Sequence, residues 1–527
     1  MAIRGTRHDD NLDGTSGNDV FIMTQGGNDT VSGGDGNDVF RFGKTLTAAD
    51  HIDGGVGDDR VILNGDYSAG LTFAADTMTG VERLELFGNH DYALSMDDGN
   101  VAHGERLIVN ASALGTGNHL DFDGSAETDG RFLVYGSAGD DTATGGAKAD
   151  VFHLENGGSD TVHGGGGNDT FDFGAAFGAS DAIDGGAGDD TVTLTGDPGA
   201  LGFSTNDTGI ETINLGGGAA YTTFSVNGDI TDSGKTLAVD ASGAASATME
   251  FTNATSTHIT VVGSAGDDTV HFGVFTIDAK IDGGTGGDDT LTITGDVGND
   301  TLVLNPDSLT NIDHLIVSGD TRIEIVLDDA NIAAGQIMTF DGSQVQTLRF
   351  SIDGEFETDG HLDITGGGAF GILAGGALSD TITTIAHSSW YEVAGMGGAD
   401  TLNLSTGEDD LIYESASDST STAHDVVSGF DAGQDLFIFD GVTVGGFDGV
   451  LTGAVNTATL DADLQGITGG ALVAGDAWEV DVTSGDLAGH QFLLVDANGN
   501  AQYDGGSDYL IDITGHAGTL SAANFIS

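Results

Sequence analysis

Aspartate recurs along this chain at a fixed distance from paired glycines. Gly33 to Arg41 read GGDGNDVFR, Gly164 to Asp172 read GGGGNDTFD, and Gly185 to Thr193 read GGAGDDTVT. Each fits the nonapeptide G-G-x-G-x-D-x-U-x, with U apolar, which is the period of a stacked β-coil. Looser copies begin at Gly5, Gly14, Thr24, Gly54, Gly136, Gly145, Gly263, Gly283, Gly375 and Gly395, several of them directly end to end. Glycines at positions one, two and four permit positive φ and a tight turn that exposes backbone carbonyls. Position six adds a carboxylate. Stacked turns place two such oxygen sets about 4.8 Å apart, which suits an ion bridged by successive turns. Calcium takes six to eight oxygens in irregular geometry, whereas magnesium demands a compact octahedron. Zinc would need cysteine or clustered histidine, and there is no cysteine.

The element that must position these oxygens is meagre. The x-U-x tail is a three-residue strand with one inward side chain, and its burial contributes about 2 kcal/mol. Ordering each of the nine residues costs about 1 to 2 kcal/mol in backbone entropy, and stacked carboxylates repel one another. A cation supplies the missing attraction.

Composition agrees. The 527 residues include 89 glycines, 2 prolines, and 84 acidic against 13 basic residues, for a formal charge of -71. Glycine and aspartate exclude a long helical protein. Nucleic acid would be repelled, and no apolar run reaches the roughly 18 residues of a membrane span. Disorder is disfavoured because apolar residues recur regularly. A halophile surface would scatter its acids rather than place them at fixed offsets from glycine pairs. The expected class is an extended all-β protein.

Between the repeat blocks lie three similar modules, each containing a related phrase: GVERLELFG from Gly80, GIETINLGG from Gly209 and NIDHLIVSG from Asn311. The resulting division is repeat blocks at 1–62, 136–193, 263–292 and 373–412, inserted β modules at 63–135, 194–262 and 293–372, and a β-rich C-terminal domain at 413–527. The thin alternating strands of the modules are expected to extend the same solenoid.

The blocks at Gly33, Gly164 and Gly185 resemble the calcium-binding repeats of RTX (repeats-in-toxin) proteins. The resemblance implies a parallel β-roll whose turn aspartates bind several calcium ions. Carried over copy by copy, the ligand positions are Asp10, Asp19, Asp29, Asp38, Asp59, Asp141, Asp150, Asp160, Asp169, Asp190, Asp268, Asp289, Asp380 and Asp400. Gly34, Gly36, Gly165, Gly167, Gly186 and Gly188 complete the three closest copies. The bland alternative at any one copy is an Asx-turn without metal. A separate candidate is Asp496, Asn498, Asn500 and Asp504 in DANGNAQYD. It resembles the D-x-D-G-D-G-x-x-D calcium loop, with two acids replaced by asparagine and one glycine by Ala501.

The start of the chain has no apolar signal-peptide core. Its C-terminal segment resembles the tails of RTX proteins exported by type I secretion machinery, with Asn524 where many relatives carry an acid. No H-E-x-x-H or G-x-S-x-G occurs, and paired acids such as Asp140 and Asp141 fall within repeat turns, so no enzyme is expected. The leading expectation is a secreted, calcium-dependent structural protein that assembles with itself into a sheet or filament as a surface layer or matrix, without membrane insertion, and that touches cell-surface polysaccharide through calcium. An adhesin that binds glycans through the modules is the alternative, and an enzyme with an unfamiliar carboxylate site is a weaker one.

Overall fold

The structure is a computed structural model. It describes residues 1–526 except 198, 200, 254–257, 274–278, 295–301, 307, 320–321, 347–348, 369 and 387–388. Ser527, at the end of the secretion-like tail, and short stretches of the second and third modules therefore lie outside the described residues. The chain divides into two compact units, Met1–Ala265 and Gly266–Ser527, and each winds as a parallel β-solenoid.

In the first unit every turn contributes one short strand to a long parallel sheet and, with few exceptions, one to a facing sheet. The long sheet stacks the same position of each strand. Phe21 lies over Phe40, then Val61, Leu84, Val109, Val134, Phe152, Phe171, Val192, Ile213, Val239 and Val261. All twelve are buried. Repeat copies supply Phe40 and Phe171, and inserted modules supply Leu84, Val109 and Val134, so the modules continue the coil. The phenyl pairs Phe21–Phe40 and Phe152–Phe171 stack at 4.9 and 5.2 Å. One apolar side chain per short strand thus becomes a continuous core only through stacking.

The second unit repeats the scheme. Val270, Leu291, Leu315, Phe340, Ile364, Ile382, Leu402 and Val427 form one ladder. Leu302, Ile325, Ile352, Leu373, Val393, Leu411, Phe437 and Phe525 form the other. Near the C-terminus the winding stops. The strands Ala477–Ser484, Gln491–Val495 and Tyr509–Asp512 pair antiparallel, and Tyr509–Asp512 joins the solenoid strand Asp425–Ser428 in parallel. The helix Leu460–Thr468 lays Leu460 and Leu464 on Trp478, Phe492 and Leu510. No helix among the described residues is long and apolar enough to cross a membrane.

Candidate metal centre

Each strand is entered through a turn, and the position-six aspartates of successive turns stack at the solenoid edge. They are joined by one repeated bond, in which the backbone N–H of each aspartate donates to Oδ1 of its counterpart in the next turn on that edge. Asp19 donates to Asp38 at 2.7 Å, and Asp38 to Asp59 at 2.6 Å. Asp150 donates to Asp169 and Asp169 to Asp190, both at 2.7 Å. Asp380 donates to Asp400 at 2.8 Å, and Asp268 to Asp289 at 2.8 Å. On the opposite edge, Asp10 donates to Asp29 at 2.9 Å and Asp141 to Asp160 at 2.9 Å. All fourteen sequence-predicted aspartates therefore take part in such ladders.

The second carboxylate oxygen divides the copies into two kinds. In closed turns it accepts the position-two amide of its own turn. Asp10 takes Thr6 N–H, Asp19 takes Thr15, Asp141 takes Ser137, Asp150 takes Gly146 and Asp380 takes Gly376, at 2.5 to 2.7 Å. The side chain thus closes its own turn by accepting the amide four residues before it. In open turns, Oδ2 of Asp38, Asp59, Asp169, Asp190 and Asp400 is buried with no hydrogen-bond partner. The cause is one backbone angle. Position two is left-handed in every open turn, with φ +96° at Gly34, +97° at Gly55, +97° at Gly165, +92° at Gly186 and +65° at Met396. That rotation turns the amide away from the carboxylate.

The bare oxygen has company. A Cβ on Gly33 would overlap both Asp38 Oδ2 and the Gly54 carbonyl oxygen, and one on Gly164 would overlap Asp169 Oδ2 and the Gly185 carbonyl oxygen. A carboxylate oxygen and a carbonyl of the next turn thus converge beside a glycine that must stay bare.

A buried, unpartnered carboxylate oxygen is expensive, and here such groups stack on one another. Burial, helped by nearby carboxylates, pushes Asp59, Asp150, Asp190 and Asp380 up to about 6, Asp160 and Asp289 to about 7, and Asp169 to about 8. Asp400 is raised by burial and by the charge of Asp425. Each bare open-turn carboxylate needs either a proton or a cation, and an all-oxygen donor set fits a hard ion. Calcium would be held by the open-turn carboxylates and adjacent carbonyls, where it would neutralise the ladder and bind successive turns together.

Several rungs have no nonapeptide signature. Asp50, Asp181, Asp425 and Asp435 accept the amide of an aspartate in the preceding turn, and Asp207 accepts that of Ile183. Asp50 and Asp207 lie three residues after Thr47 and Ser204 and close their turns by accepting those two amides. Glu82, Glu211 and Asp313 end three ladders, accepting from Asp59 at 2.6 Å, Asp190 at 3.0 Å and Asp289 at 2.9 Å. All three are the acid of the recurring GVE, GIE and NID phrases, and that was the signal available.

In the C-terminal loop the structure brings Asp496, Asn498, Asn500 and Asp504 together and adds Asp508. Asp496 accepts the amides of Gly499 and Ala501 at 2.8 Å. Asn500 Nδ2 donates to Asp504 at 2.6 Å, and Asn498 Nδ2 to Asp508 at 3.0 Å. Ala501 holds φ +64° where the resembling loop has glycine, and burial raises Asp508 to about 6.

Stacked glycine turns carrying buried carboxylate ladders define a calcium-binding β-roll. Residues 4–40, 45–67, 135–170, 156–178 and 178–197 match the RTX calcium-binding nonapeptide repeat. These segments make up less than half of the chain, and in them it carries the RTX calcium-binding repeat, with calcium as the ion such repeats take. Comparison with curated proteins finds no match. The turns at Asp289 and Asp400 lie outside the matched segments but carry the same ladder bond.

Proposed function

We propose that this chain is a secreted structural protein that folds when it meets calcium outside the cell and then assembles with copies of itself into a surface layer or extracellular matrix. The observation that carries the reading is the run of open turns, whose buried carboxylate oxygens lack any protein partner. A chain of charge -71 with such a core stays expanded where calcium is scarce and closes where it reaches the 10⁻⁴ to 10⁻³ M affinities of extracellular modules. Two features favour assembly. The repeat architecture runs through both units, so most of the chain is scaffold. The strand Phe447–Ala454 ends its sheet with a single described neighbour, Ala477–Ser484, which leaves a backbone edge that another chain can pair with.

Electron microscopy of the purified chain with and without millimolar calcium tests this reading. Ordered sheets or filaments that appear only with calcium are expected. A monodisperse monomer in saturating calcium contradicts self-assembly, and retained binding to cells or polysaccharide would then favour the adhesin.

A further inference from the structure

Two acidic clusters lie outside the nonapeptide copies. One carboxylate oxygen from each of Asp98, Glu127 and Asp129 lies within 4.8 Å of the others, and Asp329, Glu357 and Asp359 form a matching group. They occupy equivalent places in the first and third modules. DDGN at 97–100 corresponds to DDAN at 328–331, and ETDG at 127–130 to ETDG at 357–360.

The local structure repeats bond for bond. Asp97 caps the short turn Asp98–Asn100, and Asp328 caps Asp329–Asn331. Asp98 Oδ1 accepts the amide and hydroxyl of Thr128 at 2.8 and 2.6 Å, and Asp329 accepts those of Thr358 at the same distances. Glu127 Oε1 accepts the amides of Asp129 and Gly130 at 3.0 and 2.7 Å, as Glu357 Oε1 does from Asp359 and Gly360. One oxygen of each glutamate is thereby fixed. The other, Oε2 of Glu127 and of Glu357, is buried without a partner in a side chain that is 0% exposed. A protein that needed only an Asx-like corner would gain nothing from that second oxygen, and leaving it bare costs the desolvation of a charge.

We propose that Asp98, Glu127 and Asp129, and likewise Asp329, Glu357 and Asp359, form two calcium sites of a second kind, separate from the nonapeptide turns. Three carboxylates with no nitrogen or sulfur donor in common select a hard cation. Each site sits at the start of a repeat block. The Glu127 carbonyl accepts from Ala147 in the turn Gly145–Asp150, and the Glu357 carbonyl accepts from Ala377 in the turn Gly375–Asp380, both at 2.9 Å. An ion here would lock the last corner of a module to the first turns stacked on it. The second module is a natural control. With Arg131 and His258 aligned as the first residues of their strands, it has Ala254 and Ser256 in place of Glu127 and Asp129, and those two lie outside the described residues.

The test is a count of calcium bound by the full chain, by equilibrium dialysis with calcium alone as the probe. E127Q and E357Q keep the fixed Oε1 acceptor and replace the bare oxygen. Each is expected to lose one ion per chain and the pair two, with the remaining ions and the far-ultraviolet dichroism in calcium unchanged. D129N and D359N alter less buried side chains and spare the core, and each is expected to weaken one ion at least tenfold. Unchanged ion number and affinity in E127Q/E357Q, or in D129N/D359N should the glutamine pair fail to fold, would overturn the assignment, whatever the assembly state of the protein.

Discussion

The turns Gly145–Asp150 and Gly164–Asp169 both begin with a glycine pair, and their aspartates are joined by a single hydrogen bond of 2.7 Å. In the first, the Gly146 amide reaches back to Asp150 Oδ2 at 2.7 Å, and the carboxylate serves its own turn. In the second, Gly165 lies at φ +97° and Asp169 Oδ2 is left bare. Position four separates them, with Lys148 in the first and Gly167, at φ +105°, in the second. Gly36, Gly188 and Gly398 are left-handed in other open turns too. A glycine pair therefore does not by itself make an ion site. The position-two peptide must also be rotated, which leaves a carboxylate that only a proton or a cation can satisfy.

Without calcium, the raised carboxyls make stability strongly dependent on pH. In the unfolded chain they titrate near 3.8, whereas in the fold Asp59 and Asp190 hold protons up to about 6, Asp160 and Asp289 to about 7, and Asp169 to about 8. The folded state binds more protons across that window, so calcium-free stability is greatest near pH 4 and is lost as pH rises through 6 to 8. Urea midpoints in calcium-free buffer should fall steeply between pH 4.5 and pH 8, and an equal or higher midpoint at pH 8 would contradict the ladder. By the same balance, calcium uptake at pH 6.5 should release protons.

Single substitutions sharpen the contrast between the two turns. Asp169→Asn keeps the Oδ1 acceptor and removes the ligand charge. It should cost about 3 kcal/mol at calcium a hundredfold above the dissociation constant, whereas in chelator above pH 4 it removes a costly buried charge and should stabilise the fold. Asp150→Asn removes an acceptor from a buried amide and should cost about 1 to 3 kcal/mol in both conditions. Paired denaturation curves with and without calcium read the difference, and equal behaviour of the two variants would erase the distinction.

Much of this architecture could be read locally. The apolar position of each nonapeptide, as in Phe40, Phe171 and Val192, marks the core ladder because one strand of the coil fits inside one repeat. The aspartate positions follow from the same period. Open and closed turns were not legible, since a peptide rotation depends on the turn stacked beside it, and Met396 adopts the open form without a glycine pair. Asp50, Asp207 and Glu82 carry no nonapeptide signature, because they reach the ladder through shorter three-residue turns or module phrases. Glu127 and Asp98 are 29 residues apart and meet only through the winding. The helix Leu460–Thr468 lies in a segment whose composition suggested only strands.

The smallest effects are expected at the two strained loops. Met396 at φ +65° and Ala501 at φ +64° both hold a left-handed conformation that costs an L-residue about 1 kcal/mol. Met396→Gly and Ala501→Gly should each raise the calcium-saturated stability, by up to about 1 kcal/mol for an open turn and for the C-terminal loop alike. Thermal unfolding detects a change of that size, and a loss of stability in both variants would count against the assigned turn geometry.

The central claim is that calcium, by satisfying the bare carboxylates, is what holds the coil together. The most direct measurement is a calcium titration of the chelated chain at pH 7.5, followed by far-ultraviolet circular dichroism and hydrodynamic radius. The account predicts an expanded chain that gains β signal and contracts cooperatively as several ions bind. A chelated chain that already has the full β signal and compact radius at that pH would contradict it.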